Sequence, residues 1–329
     1  MRQRAFEEQN RSNWERLHAL LQDLDRPRRK RQLSAAERET FPALYRSLCN
    51  DYALACSRHY SPALEQELHR MVLWGHRHLY AGRSAGLWRL VRFIAYGFPL
   101  ALRRNQAYFW VACLLFLLPG LLLGVFCYQQ PELIYSVMSE SQVTQMESMY
   151  DPGNRNTGRL PERSAETDMM MFGHYISNNI GIGFRTFAGG MLFGLGSVLL
   201  LLFNGVFIGA VAGHLTRIGY HETFWPFVSG HGSFELTAIV ICGASGLILG
   251  HALIAPGQRT RLQSLKRRAR EALQLVMGAA LMLLLAAFIE AFWSSSGVPA
   301  GLKYGVAALL WLLVALYLGL AGRGARGAG

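Results

Sequence analysis

Apolar positions in the first eighty residues recur every three or four. Trp14, Leu17, Leu21 and Leu24 mark one stripe, and Phe41, Leu44, Tyr45, Leu48 and Tyr52 a second. Leu64, Leu68, Met71 and Val72 mark a third. That period lets a helix bury one face, so residues 1–82 are expected to form three amphipathic helices in a cytoplasmic domain. Ser34 with Glu37 makes a capping box ahead of the second helix, and Ser61 with Pro62 opens the third. The run "DRPRRKRQ" separates the first helix from the second. Its basic core, "RPRRKR", reads as a solvated turn or as a grip on anionic lipid or an acidic partner.

Beyond residue 105 the pattern changes from a stripe to a block. "AYFWVACLLFLLPGLLLGVFCY" (107–128) is uncharged and long enough to span a bilayer. So are "FAGGMLFGLGSVLLLLF" with its continuation, "LTAIVICGASGLILGHALIA", "LQLVMGAALMLLLAAFI" and "YGVAALLWLLVALYLGLAG". The expected fold is an all-α polytopic bundle with about six crossings over 106–322. Between the two regimes, 83–105 reads as an interfacial amphipathic helix. Trp88 stands with Arg89 and Arg92, and Arg103 and Arg104 follow Pro99, which is expected to break the helix and redirect the chain. Asn204-Gly205 reads as the turn or break between two central arms. The second arm carries His214 and Arg217 and is short enough to be re-entrant.

Charge sets the expected orientation. The formal net charge is +12, but the basic residues gather in the N-terminal hundred, in the loop 256–271 and in the tail 323–329. Segment 129–170 is acidic. The positive-inside rule then places both termini and loop 256–271 in the cytoplasm, and 129–170 outside. A bacterial cytoplasmic membrane accounts for the charge without nucleic acid. The five cysteines form no CxxC pair, so neither a disulfide framework nor a zinc framework is expected.

Two further patterns involve single residues. Gly190 and Gly194, Gly205 with Gly209 and Gly213, and Gly246 with Gly250 recur at four-residue spacing. Such small-residue stripes allow close backbone approach inside a bundle or between two copies, and a homodimer is the expected assembly. The polar residues in or near the spans are His174, Asn178, Asn179, Arg185, Asn204, His214, Arg217, His231, Glu235 and Glu290. Each is costly in lipid, so each is expected to face the bundle interior or an aqueous cavity. Asn178, Asn179, His231, Glu235 and Glu290 are expected in one layer near the outer face. His231 and Glu235, four apart, share a helix face, with Gly230 and Gly232 turning the backbone at the helix start.

The blocks "ISNNIGIGFRTFAGGMLFG", "NGVFIG", "HGSFELTAIVICGASGL" and "AAFIEAFWSS", in that order, resemble the stage II sporulation protein M family of bacterial multi-pass membrane proteins. The resemblance covers roughly 170–297 and implies a cell-envelope setting. By family, it also implies peptidoglycan-acting partners, or MoxR-type ATPases and von Willebrand factor A proteins. Two functions stay open. One is a membrane scaffold whose polar residues knit the bundle. The other is a permease or channel-like core with an ion or small solute among Asn178, Asn179, Asn204, His231 and Glu235. An enzyme is not expected: HGSFE lacks the second histidine of HExxH, and no GxSxG occurs, so no catalytic residue, metal or cofactor is expected. A dry interior would mark the scaffold, a cavity reaching Glu235 the permease, and three protein ligands on a metal the enzyme.

Overall fold

The structure, a computed structural model, describes residues 3–26, 33–34, 37, 39–153 and 165–323. Most of "RPRRKR", part of the acidic segment and the end of the C-terminal tail lie outside the described residues. The described residues form helices and no strands. They divide into two units, Met1–Val91 and Arg92–Gly329.

The first unit is built from α1 (Gln3–Asp25), α2 (Phe41–Ser57) and α3 (Pro62–Arg92). The three stripes meet: Leu17, Leu21, Phe41, Leu48, Leu64 and Leu68 are buried in one core. Polar groups pin its edges. Glu37 N donates to Ser34 Oγ and Ser34 N to Glu37 Oε2, the reciprocal bonds of a capping box that stands upstream of α2, whose own N-cap is Thr40. Ser61 N donates to Gln3 Oε1 at 3.0 Å, fixing the start of α3 against α1. Trp14 Nε1 donates to Asp51 Oδ2 at 2.9 Å, joining α1 to α2.

The second unit opens with a π-helical turn, Phe93–Gly97, which runs into α4 (Phe98–Arg104). Pro99 therefore does not break the chain. Phe98 N–H bonds five residues back to Phe93 O, and this widened turn brings the proline into the first positions of α4, where a missing N–H costs little. The break comes at Asn105, whose side chain donates to Ala101 O. Phe98 and Leu102 are buried against the helices Arg261–Phe288 and Ala300–Leu320, with Tyr317 beside the Phe98 ring. Trp88, Arg89, Arg92 and Arg104 are exposed, while Arg103 is half-buried and donates to Leu318 O.

Six helices then run through the unit: α5 (Gln106–Gln129), α7 (Ala165–Ala188), α8 (Leu195–Arg217), α9 (His221–Ile254), α10 (Arg261–Phe288) and α11 (Ala300–Leu320). All but α7 are long and apolar enough to cross a membrane. Helix α7, at 24 residues, has the length but carries polar residues along it. The turn between α7 and α8 falls at residues 189–194 and not at Asn204-Gly205. Phe193 (φ 52°) and Gly194 (φ 83°) take the left-handed conformation that a sharp reversal needs. Ser197 Oγ locks the reversal by donating to Thr186 O at 2.6 Å. Asn204 lies inside a continuous α8, where its side chain donates to Leu200 O. The expected second arm is thus no separate element, and α8 is long and apolar enough to cross a membrane.

Glycine decides how these helices meet. A Cβ on Gly205, Gly209 or Gly213 would lie 2.0–2.1 Å from the carbonyl oxygens of Phe116, Gly120 and Gly124 on α5. Helices α5 and α8 thus pack backbone on backbone, which small residues alone permit. Gly190 and Gly194 meet Gly246 and Gly250 of α9 in the same manner. All three predicted stripes are filled within the chain, so they lend no weight to a homodimer.

The two ends of the unit differ in charge. Arg261 lies over the Phe193 ring, and Arg268 donates to Tyr108 Oη, so the 189–194 turn, the start of α5 and the basic loop share one end. At the other end a 3₁₀ turn (Pro131–Ser136) and α6 (Glu140–Tyr150) fold back on α8 and α9, burying Ile134, Val143 and Met146. His214, expected to mark a partial arm, is buried in the last turn of α8, and its Nε2 stands 2.6 Å from Glu147 Oε1.

Candidate intramembrane binding site

Helix α9 is 34 residues long, about 51 Å at 1.5 Å per residue. Its length corrects the expected helix start at HGSFE. The helix begins at His221 and continues unbroken past Pro226, Gly230 and Gly232, so Glu235 is well inside it and does not cap free N–H groups. Gly230 faces Ile289 and Trp293, where a Cβ would sit at 3.8 Å in ordinary contact, so the packing there does not require glycine. Trp225 is exposed, as in an interfacial aromatic belt. His231 and Glu235 lie six and ten residues further on, about 9–15 Å along the axis.

The cluster forms where α9 faces a π-helical segment, Ile289–Ser294, that continues α10. Widened turns of this kind re-aim side chains and are common at functional sites. This one carries Glu290 toward His231 and Glu235, and one ligand-type atom from each of the three lies within 4.8 Å of the others. His231 Nδ1 is 3.0 Å from Ser294 Oγ, while Nε2 faces Glu235 Oε2 at 3.9 Å, beyond hydrogen-bond range. Asn179, buried on α7, points its amide at Glu290 Oε2 at 3.5 Å. Four of the predicted polar residues therefore share one layer.

The others do not join it. Asn178 is exposed and donates to Asn179 Oδ1, and Asn204 bonds its own helix. His174, Arg185 and Arg217 are exposed too, not turned inward as expected. Arg185 and Arg217 lie at helix ends, where a long side chain reaches the interface, and Arg217 lies 6.0 Å from the centre of the Tyr128 ring.

One member of the network escaped the sequence reading. Lys303, 1% exposed, donates from Nζ to Ser294 O at 2.7 Å and to Ser296 O at 2.8 Å. Its charge thereby caps the carbonyl end of the π segment and fixes Ser294, whose hydroxyl in turn holds His231. A single lysine just inside an apolar span was the available signal.

A cavity of about 630 Å³ between α5, α8, α9 and Trp311 reaches this layer, with Ser229, His231 and Glu235 in its wall. The hydroxyl of Ser229 is buried there without a hydrogen-bond partner. A second cavity of about 450 Å³ shares Phe116, Leu117, Leu236 and Trp311 with the first and continues toward Arg103 and Arg323. Together they form one groove along α9, mostly apolar, with rim residues Leu117, Leu121 and Trp311 exposed. Groups of this kind hold polar or charged guests by a few directed contacts in an apolar wall.

A family model described as Stage II sporulation protein M matches residues 113–295. The match spans more than half of the chain, which belongs to that family of membrane proteins. Residues 4–81 match a model described as a domain of unknown function. No curated protein and no solved structure matches the chain.

Proposed function

We propose that the membrane unit of this Stage II sporulation protein M family member is a permease-like binding core taking an ion or small solute at the His231/Glu235 layer. The observation that carries this reading is the polar wall of Ser229, His231 and Glu235 inside an otherwise apolar cavity. A bundle whose polar residues served packing alone would close over all of them, since an open polar face in lipid is unfavourable, whereas Glu235 stays half-buried beside the groove. In this proposal the protein sits in the cytoplasmic membrane of a bacterium. Loop 256–271 and both termini lie in the cytoplasm, and α6 lies outside.

The scaffold reading keeps one specific support, the glycine seams that hold α5 on α8 and the 189–194 turn on α9. They make a stiff frame suited to holding partners. Peptidoglycan-acting proteins, MoxR-type ATPases or von Willebrand factor A proteins are the candidates by family resemblance. Thiol labelling separates the two. Ser229→Cys, compared with the unsubstituted protein to subtract its own cysteines, is expected to react with a charged, membrane-impermeant reagent added from one side. A Ser229→Cys protein as inert as its parent, from either side, indicates a dry bundle and returns the scaffold.

A further inference from the structure

We infer that His231, Glu235 and Glu290 form a binding site for a divalent transition-metal cation whose open coordination positions face the groove. The inference rests on the binding-core reading for its access route and names the class of ion held there.

The donor set is the first argument. One imidazole nitrogen and two carboxylates, without a thiolate among them, suit Zn²⁺, Mn²⁺, Fe²⁺ or Co²⁺ better than the all-oxygen preference of Mg²⁺ or Ca²⁺. Geometry is the second. Donor atoms on a tetrahedral ion with bonds of about 2.0–2.2 Å lie roughly 3.4 Å apart. The observed spacings are 3.9 Å for His231 to Glu235 and within 4.8 Å for the three together. Small rotations at the ends of two glutamate side chains close that gap.

The surroundings are the third argument. A metal-binding histidine is oriented by a hydrogen bond at its other ring nitrogen, and here Ser294 Oγ holds Nδ1 while Nε2 faces the Glu235 carboxylate. His231 is 5% exposed, so its ring is aimed by packing as well as by Ser294. The nearest buried cation, Lys303, is engaged by the carbonyls of Ser294 and Ser296, which leaves its charge at the helix end. Asn179 stands beside Glu290 as a neutral amide able to steady it. Three ligands leave at least one position open, as in metal sites that accept an exchangeable ligand.

Cobalt(II) tests the assignment because its visible spectrum separates nitrogen and oxygen ligands from thiolates. The full chain, in detergent and stripped by a chelator, is titrated with Co²⁺ and then with Zn²⁺. Expected are one Co²⁺ per chain, a ligand-field spectrum without thiolate charge transfer, and displacement by Zn²⁺. Glu290→Gln and His231→Ala are each expected to weaken binding at least about tenfold. Absence of saturable binding, a thiolate band, or affinity unchanged in both variants overturns the site. Where a variant does not stay monodisperse, X-ray absorption of the zinc-loaded parent decides: one imidazole with oxygen neighbours supports the site, and sulfur or no histidine overturns it. Cobalt bound while Ser229→Cys stays inert upholds the metal and overturns only the groove. A reactive Ser229→Cys with no cobalt does the reverse.

Discussion

The helices of the N-terminal unit and those of the membrane unit are held by opposite means. Between α1, α2 and α3 the contacts are large side chains, Leu17, Leu48, Leu68 and the rings of Phe41 and Tyr45, interdigitated in one core. Between α5 and α8 the contacts are peptide groups facing peptide groups across glycines. In water, removing apolar area is itself the driving force, so bulk is favourable. In lipid the surroundings are as apolar as leucine, and association relies on close packing and hydrogen bonds. The same amino acid, leucine, is therefore core in one unit and outer coat in the other, where Leu114, Leu121 and Leu312 are exposed.

The sharpest way to break the contrast is to add bulk to the glycine seam. Gly209→Val places its Cβ 2.0 Å from Gly120 O, and a backbone carbonyl cannot swing aside. Helices α5 and α8 must separate along their length, so we expect little or no folded membrane unit in detergent. Gly305→Val on α11, where nothing lies within 4 Å, is expected to leave it intact. Size-exclusion profiles and thermal midpoints of the two variants measure the difference. Equal behaviour would mean that the seam has no structural weight.

Removing bulk is the matching test of the other unit. Leu68→Ala empties a fully buried position in the core of α1–α3 and is expected to cost about 2–5 kcal/mol there. Hydrogen exchange in peptides from α1 and α2 should rise, with peptides from α8 and α9 unchanged. An effect that spreads equally into α8 and α9 would show that the two packing regimes are not separable.

How much of this was legible follows from the reach of each signal. The N-terminal stripes and four of the long apolar blocks are local patterns that formed where expected; the block at 187–203 did not, because the chain reverses inside it at 189–194. Polar residues in apolar stretches were legible because their cost is local too, which is why Asn179, His231, Glu235 and Glu290 could be placed in one layer, whereas Asn178, expected with them, is exposed because the face it takes depends on packing. Pairing across the fold was not. Gly120 and Gly124 went unremarked because their meaning depends on facing Gly205, Gly209 and Gly213. Asn204-Gly205 has turn chemistry, yet the α5 seam uses that glycine, and the reversal went to 189–194. The acidic segment carried a capping box at Ser139 and Gln142, but its docking through Glu147 on His214 depends on two elements distant in sequence. The π turn that aims Glu290 leaves no periodic trace at all.

The smallest expected effect concerns a polar group in the N-terminal unit. Asp51 is buried between α1 and α2, where Trp14 Nε1 donates to it. Burial pushes its carboxyl above the usual 3.8, and the Trp14 bond opposes the shift more weakly. A carboxyl raised in the folded state binds its proton more tightly folded than unfolded. Its contribution to stability is therefore fully present below the unfolded value and is lost as pH rises through the folded one. Most paired carboxylates act with the opposite sign. Asp51→Asn keeps the shape and removes the titration, so the ratio of wild-type to variant exchange rates in α1 and α2 peptides isolates the term, intrinsic pH effects cancelling. We expect wild type to lose protection relative to the variant as pH rises through and above this window. The shift should be small, corresponding to less than about 4 °C in midpoint for a unit of this size. A wild type that gains protection instead would mean that the Trp14 hydrogen bond to the ionised carboxylate outweighs burial. The first unit would then share with the second a reliance on directed polar contacts.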